Sequence, residues 1–147
     1  MTCSRLAVAT HLLAYLTWRR GQPVSSTELA RSIETNPVVV RRLVSALREA
    51  GIVRVRQGAA GGAELARAPE SITLHEVYRA VQPDDELFAL PSRKDRSGCP
   101  LGCSIGGTLG EVFERAEAAI ERVLGGVTLA EVYESLAPRL PVGRPAA

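Results

Sequence analysis

The chain has 147 residues, enough for a single domain with a substantial core, and its 46% apolar content excludes a disordered polymer. A net charge of +2 hides a division: residues 1–67 carry ten Arg against four acids (+6), and residues 68–147 carry eight Lys or Arg against twelve acids (−4). A basic half joined to an acidic half suits binding of a polyanion by the first and a separate task for the second. Cys3, Cys99 and Cys103 are too few and too odd for a disulfide framework, so the expected setting is reducing and cytoplasmic. No run approaches the ~20 apolar residues of a membrane span, so no membrane partner is expected.

Leu6, Ala9, Leu13 and Leu16, widened by Val8 and Leu12, predict a first helix that stops at Gly21-Gln22-Pro23. His11 lies on this apolar helix and is expected to be packed. Ser25-Ser26-Thr27-Glu28 has the form of a capping box, opening a helix that buries Leu29, Ala30 and Ile33 and ends near Glu34-Thr35. Asn36 then offers an N-cap and Pro37 a first helical residue whose missing N–H costs nothing. Val40, Leu43, Val44 and Leu47 follow at i, i+3, i+4, i+7, and Gly51 ends the helix. Two short helices joined tightly, the second long and basic, have the pattern of a helix-turn-helix.

Ile52 to Arg56 alternates apolar and basic residues as a half-buried strand does, Gly58 to Gly62 makes a turn, and Ala63 to Arg67 returns. A hairpin directly behind a helix-turn-helix is a wing. Beyond Pro69, Thr73 to Glu76 forms a second capping box for a helix through Val77, Tyr78 and Val81. Residues 83–103 have loop composition. A long helix is expected from Ser104, with a heptad-like seam of Ile105, Leu109, Val112, Ala116, Ala119 and Val123 broadened by Phe113, Ile120 and Leu124. Thr128 to Glu131 is a third capping box, starting a last helix through Val132 and Leu136.

These elements predict a mostly α chain with a small β-hairpin. Its parts are a winged helix-turn-helix DNA-binding domain at 1–82, a loop with two cysteines at 83–103, a dimerisation helix and short C-terminal helix at 104–137, and a flexible tail at 138–147. In the helix from Pro37 the core stripe leaves Val38, Arg41, Arg42, Ser45 and Arg48 facing outward. Asn36, Val38, Arg41, Arg42 and Ser45, with Ser26 at the preceding helix start, are the candidate readers of double-stranded DNA; Arg can pair bidentately with guanine and a valine methyl can pack on thymine. The competing reading is a solvated helix face. Arg54, Arg56 and Gln57 are candidates for phosphate or minor-groove contact, or else a charged edge that discourages strand pairing.

For the long helix, Ile105, Leu109, Val112, Ala116, Ala119, Ile120 and Val123 are the candidate interface of a homodimer; packing against its own domain is the alternative. Cys99 and Cys103 are candidates for a redox couple or for metal ligation, but a structural zinc site needs four ligands, and neither His11 nor His75 is near in sequence. No phosphate loop, Ser/His/Asp set or paired carboxylate appears, so an enzyme is not expected.

Ser4 to Ala9, Asn36 to Arg42 and Gly61 to Arg67, in that order, resemble the IscR/NsrR/CymR (Rrf-two) family of bacterial winged-helix regulators. Leu87-Phe88-Ala89 and Cys99-Pro100-Leu101-Gly102 look most like its YwnA-like branch. The resemblance implies a homodimer with a long, domain-exchanging dimerisation helix, and usually repression of transcription. Some members hold an iron–sulfur cluster through three cysteines in the loop before that helix and an acid or histidine from the first helix. Here the loop has only Cys99 and Cys103, and the first helix offers Arg5, so no cofactor is expected. The two thiols then belong either to a plain structural loop or to a thiol sensor. The rivals to a DNA-binding repressor are such a redox or cluster sensor, and a winged-helix module turned to protein contacts.

Overall fold

The computed structural model describes residues 3–19, 21–82, 88 and 98–141, with the backbone alone at 3 and 4. Helices α1 (Cys3–Trp18), α2 (Ser26–Ile33) and α3 (Pro37–Glu49) precede a hairpin of β1 (Val53–Arg56) and β2 (Gly62–Leu65). Helices α4 (Leu74–Val81), α5 (Pro100–Gly125) and α6 (Leu129–Leu136) follow, with short 3₁₀ turns at Pro69–Ser71 and Ala137–Arg139. No helix among the described residues is long and apolar enough to cross a membrane.

One core serves most of these elements. Leu12, Leu13 and Leu16 of α1 meet Leu29 of α2, Val40 and Leu47 of α3, Val53 of β1 and Val77 of α4, together with Ile52 and Ile72 from the connections. The apolar stripes legible in α1 and α3 are therefore the faces that leave water. Leu129 of α6 is fully buried in the same cluster, so the chain returns to the winged helix after α5. Backbone hydrogen bonds fasten that return: Leu74 N donates to Val127 O at 2.9 Å and Leu129 N to Ile72 O at 2.8 Å.

The hairpin is antiparallel, with Val53 opposite Leu65, Arg54 opposite Glu64, Val55 opposite Ala63 and Arg56 opposite Gly62. Val24, between α1 and α2, bridges to the free edge of β2 by exchanging hydrogen bonds with Ala63 at 2.9 and 2.8 Å. That approach needs glycine at 62: a Cβ there would lie 2.4 Å from the Val24 carbonyl carbon and oxygen, and φ is +152°. Gly61 is constrained likewise, by the Arg56 carbonyl oxygen 2.2 Å from where its Cβ would stand.

The structure departs from the expected elements in specific ways. Ser25 does cap α2, accepting from Glu28 N at 3.2 Å, but the reciprocal half of a capping box is missing. The Glu28 carboxylate instead accepts the Tyr15 hydroxyl at 2.8 Å and stands 3.1 Å from Arg19 Nη1, because α1 presents better partners than the local backbone. The other two capping boxes, Thr73 with Glu76 and Thr128 with Glu131, are complete. His11 is exposed rather than packed, with Nε2 3.3 Å from Ser32 Oγ on α2. Helix α5 starts at Pro100 and not Ser104, since Pro at the first position pre-sets the helical φ. Of the loop expected at 83–103, residues 83–87 and 89–97 lie outside the described residues, and so do 142–147 of the expected tail.

Candidate nucleic-acid interface

Helix α3 is divided cleanly by burial. Val40, Leu43, Val44 and Leu47 are buried, while Arg41, Arg42 and Arg48 are exposed and make no ion pair with a described residue. Val38 and Val39 at its start keep 42% and 40% of their surface, which leaves two branched apolar side chains in water beside the arginines. Ser45 is half-buried, as is Ser26 at the first turn of α2. Asn36 is exposed, but its Oδ1 is already engaged, accepting from Val38 N at 2.8 Å. Its side-chain amide N–H groups are not used by that cap.

The angle of α2 to α1 is set by charge as well as packing. The Arg19 side chain is only 8% exposed beside Glu28, and its Nε, buried, has no hydrogen-bond partner among the described residues. Tyr15 stacks edge-on against Trp18, ring centroids 5.6 Å apart. Burial, and then the hydrogen bond it donates to Glu28, push the Tyr15 hydroxyl above its usual value. On the far side of the domain Arg67 donates to Glu76 at 2.8 Å and to the Ser71 carbonyl at 3.2 Å, joining the end of the wing to α4. The Thr73 backbone N–H lowers the Glu76 carboxyl; partial burial opposes this and Arg67 adds to it.

The wing arginines are not free arms. Arg54 Nε and Arg56 Nε both donate to Glu64 Oε1, at 2.7 and 2.8 Å, while their side chains stay 61% and 58% exposed. Gln57 is exposed at the tip. Arg54 and Arg56 were legible as candidates in the sequence; Glu64 was not. The signal was available in the hairpin register, which puts 64 opposite 54 on the face that alternation assigns to Arg54 and Arg56.

Helix α5 spans 26 residues, about 39 Å, without one fully buried side chain. The expected seam divides. Leu109, Ala116 and Ile120 are half-buried, on the side that includes Phe113, whose ring stacks on Phe88 at 5.0 Å. Ile105, Val112, Ala119 and Val123 are exposed, the first two by 50% and Val123 by 66%, and Leu101 extends their stripe with 77%. Cys99 stands at the N-cap position of α5 with no capping hydrogen bond from its side chain, Cys103 lies in the first turn, and both are exposed.

Residues 2–135 match the model of Rrf2, described as an iron-dependent transcriptional regulator. The chain belongs to this family. YwnA of Bacillus subtilis, a candidate HTH-type transcriptional regulator, is 43% identical over 136 residues, 92% of this chain and 99% of YwnA. A solved structure of a candidate DNA-binding protein is 40% identical with a TM-score of 0.70, covering 87% of this chain and 97% of its own. A candidate transcriptional regulator from Lactobacillus plantarum is 28% identical with a TM-score of 0.78, covering 93% and 91%. The winged helix followed by a long helix is thus the Rrf2 regulator fold.

The family description names iron. Among the described residues no three His, Cys, Asp or Glu side chains come together as metal ligands, and Cys99 and Cys103 supply two thiols. Two thiols do not make the four-cysteine ligand set of a typical iron–sulfur cluster. The described residues do not fit an iron centre.

Proposed function

We propose that this Rrf2 chain is a DNA-binding regulator, not an enzyme, that acts as a homodimer and represses transcription by occupying a partly symmetric operator. The observation that carries the reading is the division of α3: four buried aliphatic residues on one face, and exposed Arg41, Arg42 and Arg48 with Val38 on the other. A helix so divided, behind a short tightly joined helix and beside a hairpin with two exposed arginines, has the parts for entering a major groove. Asn36, Val38 and Arg41 or Arg42 then meet base edges, while Ser26, Ser45, Arg54, Arg56 and Gln57 hold phosphates and fix register. The exposed stripe of α5 supports pairing with a second copy, and two copies offer two recognition helices to half-sites about 34 Å apart.

Arg41→Ala and Arg42→Ala test the reading by fluorescence anisotropy over a salt range. A base contact predicts a loss of about 1–3 kcal/mol, and a phosphate contact a salt slope shallower by about one. Unchanged affinity together with an unchanged slope in both variants contradicts the assignment.

A second reading adds a switch at Cys99 and Cys103, favoured by their exposure one turn apart at the head of the interface helix. Cys99→Ser and Cys103→Ser proteins should then keep binding DNA under peroxide that releases the wild type; an identical peroxide response removes this reading.

A further inference from the structure

Glu64 is a carboxylate, 1% exposed, in the middle of a basic hairpin. It stands opposite Arg54 in the strand register and two pairs along from Arg56, on the face the two arginines share. Its Oε1 accepts the Nε–H of both, while its Oε2 is buried with no hydrogen-bond partner among the described residues. The seal is thin, since the covering arginines are themselves more than half exposed. Burial pushes the carboxyl up, but the hydrogen bonds and charges of Arg56 and Arg54 outweigh it and hold it below its usual value. It therefore carries a full negative charge at neutral pH.

A buried charge with one oxygen unsatisfied is a poor way to stabilise a hairpin, where a β-branched residue would serve at lower cost. Its effect on the arginines is specific. Each donates through Nε, the guanidinium nitrogen nearest the main chain, which restrains the group and leaves nitrogens at its outer end for a phosphate. Two mobile cations thus become two fixed prongs on one face of the wing, and the ordering of long side chains takes place during folding instead of at binding.

We propose that Glu64 is a positioning residue that pins Arg54 and Arg56 as a two-pronged fork on the DNA backbone, so that the wing contributes to discrimination between sites and not only to attraction. This rests on the DNA-binding reading above. Glu64→Gln should act in two directions. Removing a negative charge strengthens attraction to any duplex. Loosening the fork weakens binding where the register of protein on DNA has to be right. A residue that merely supports the hairpin or trims its charge would move both affinities together.

The test uses the full chain. Wild type first enriches a target duplex from a randomised library; anisotropy then compares that target with a scrambled duplex of equal composition, between 50 and 300 mM KCl on the order of the range in which phosphate contacts are resolved. Glu64→Gln should bind the scrambled duplex at least as tightly as wild type, yet lose about ten-fold of the preference for the target. In an Arg54→Ala/Arg56→Ala background the same change should leave the preference where it was. A preference kept by Glu64→Gln, or lost equally in the arginine-less background, overturns the proposal. Should Glu64→Gln not fold, Arg54→Lys/Arg56→Lys keeps both charges without the planar groups to be gripped. It should lose preference at a constant salt slope, and retained preference overturns the proposal. A wild type that enriches no duplex overturns the regulator reading and this one with it, whereas enrichment with an unaltered Glu64→Gln overturns the positioning role alone.

Discussion

Gly62 and Gly21 both have positive φ, at +152° and +79°, yet they carry different constraints. A Cβ at 62 meets the Val24 backbone at 2.4 Å, whereas one at 21 meets nothing within 4 Å. Gly62→Ala should therefore cost about 2–4 kcal/mol by forcing Val24 off the wing. Gly21→Ala should cost about 1 kcal/mol, the conformational penalty alone. Urea unfolding of both variants checks the pair, and equal midpoints would mean that the Val24 bridge is not a close contact in solution. At the same scale, Asn36 shows why site residues are only half legible: its type and position mark an N-cap, but only the geometry reveals that capping uses its oxygen and leaves the amide nitrogen.

Among the elements, α5 carries the sharpest expectation. Val112 is 50% exposed on a helix with no fully buried residue, so Val112→Glu should leave the monomer fold intact and prevent pairing. Light scattering coupled to gel filtration should give a dimer for wild type and a monomer for the variant, with matching circular dichroism. A variant that remains dimeric places the interface elsewhere. Capping gives a second expectation: Thr73→Ala removes an acceptor for Glu76 N and should cost about 1 kcal/mol in urea unfolding. A change within experimental error would show that the cap adds nothing. These elements were legible because stripe and cap are local patterns; α1 to α4, the hairpin and α6 follow from residues within a few positions of each other. What depends on distant partners was not legible. The heptad pattern of α5 does not say which of its two apolar sides faces the protein's own domain, and Glu28 forms no capping box because Tyr15 and Arg19 arrive from another helix.

At the scale of the whole fold, among the described residues, the carboxyls of Glu64, Glu76 and Glu131 lie below their ordinary value of 4.5. For Glu64 the arginine hydrogen bonds overcome burial, for Glu76 the Thr73 backbone leads, and for Glu131 the Thr128 backbone leads. Between the folded and unfolded pKa the unfolded chain binds more protons, so these groups stabilise the fold fully above 4.5 and lose that contribution as pH falls from there through their lower folded values. Unfolding free energy should thus fall steadily as pH drops below this value, and Glu64→Gln should flatten the fall; an unchanged acid limb in that variant contradicts the Glu64 share. Charge at this scale also has a direction, +6 in residues 1–67 and −4 beyond, with α3 and the wing in the basic part and α5 in the acidic one. That division was legible from the sequence, and it favours polyanion binding by the winged helix and self-association by the rest.

This winged helix reads DNA. That is tested most directly by titrating the reduced protein against labelled duplex from upstream of its own gene, with unlabelled random duplex as competitor, across a range of salt. Binding should resist the competitor and weaken steeply and log-linearly as salt rises. Binding no tighter than to random duplex, both there and with targets drawn from a randomised library, would contradict it and leave a winged helix turned to protein contacts.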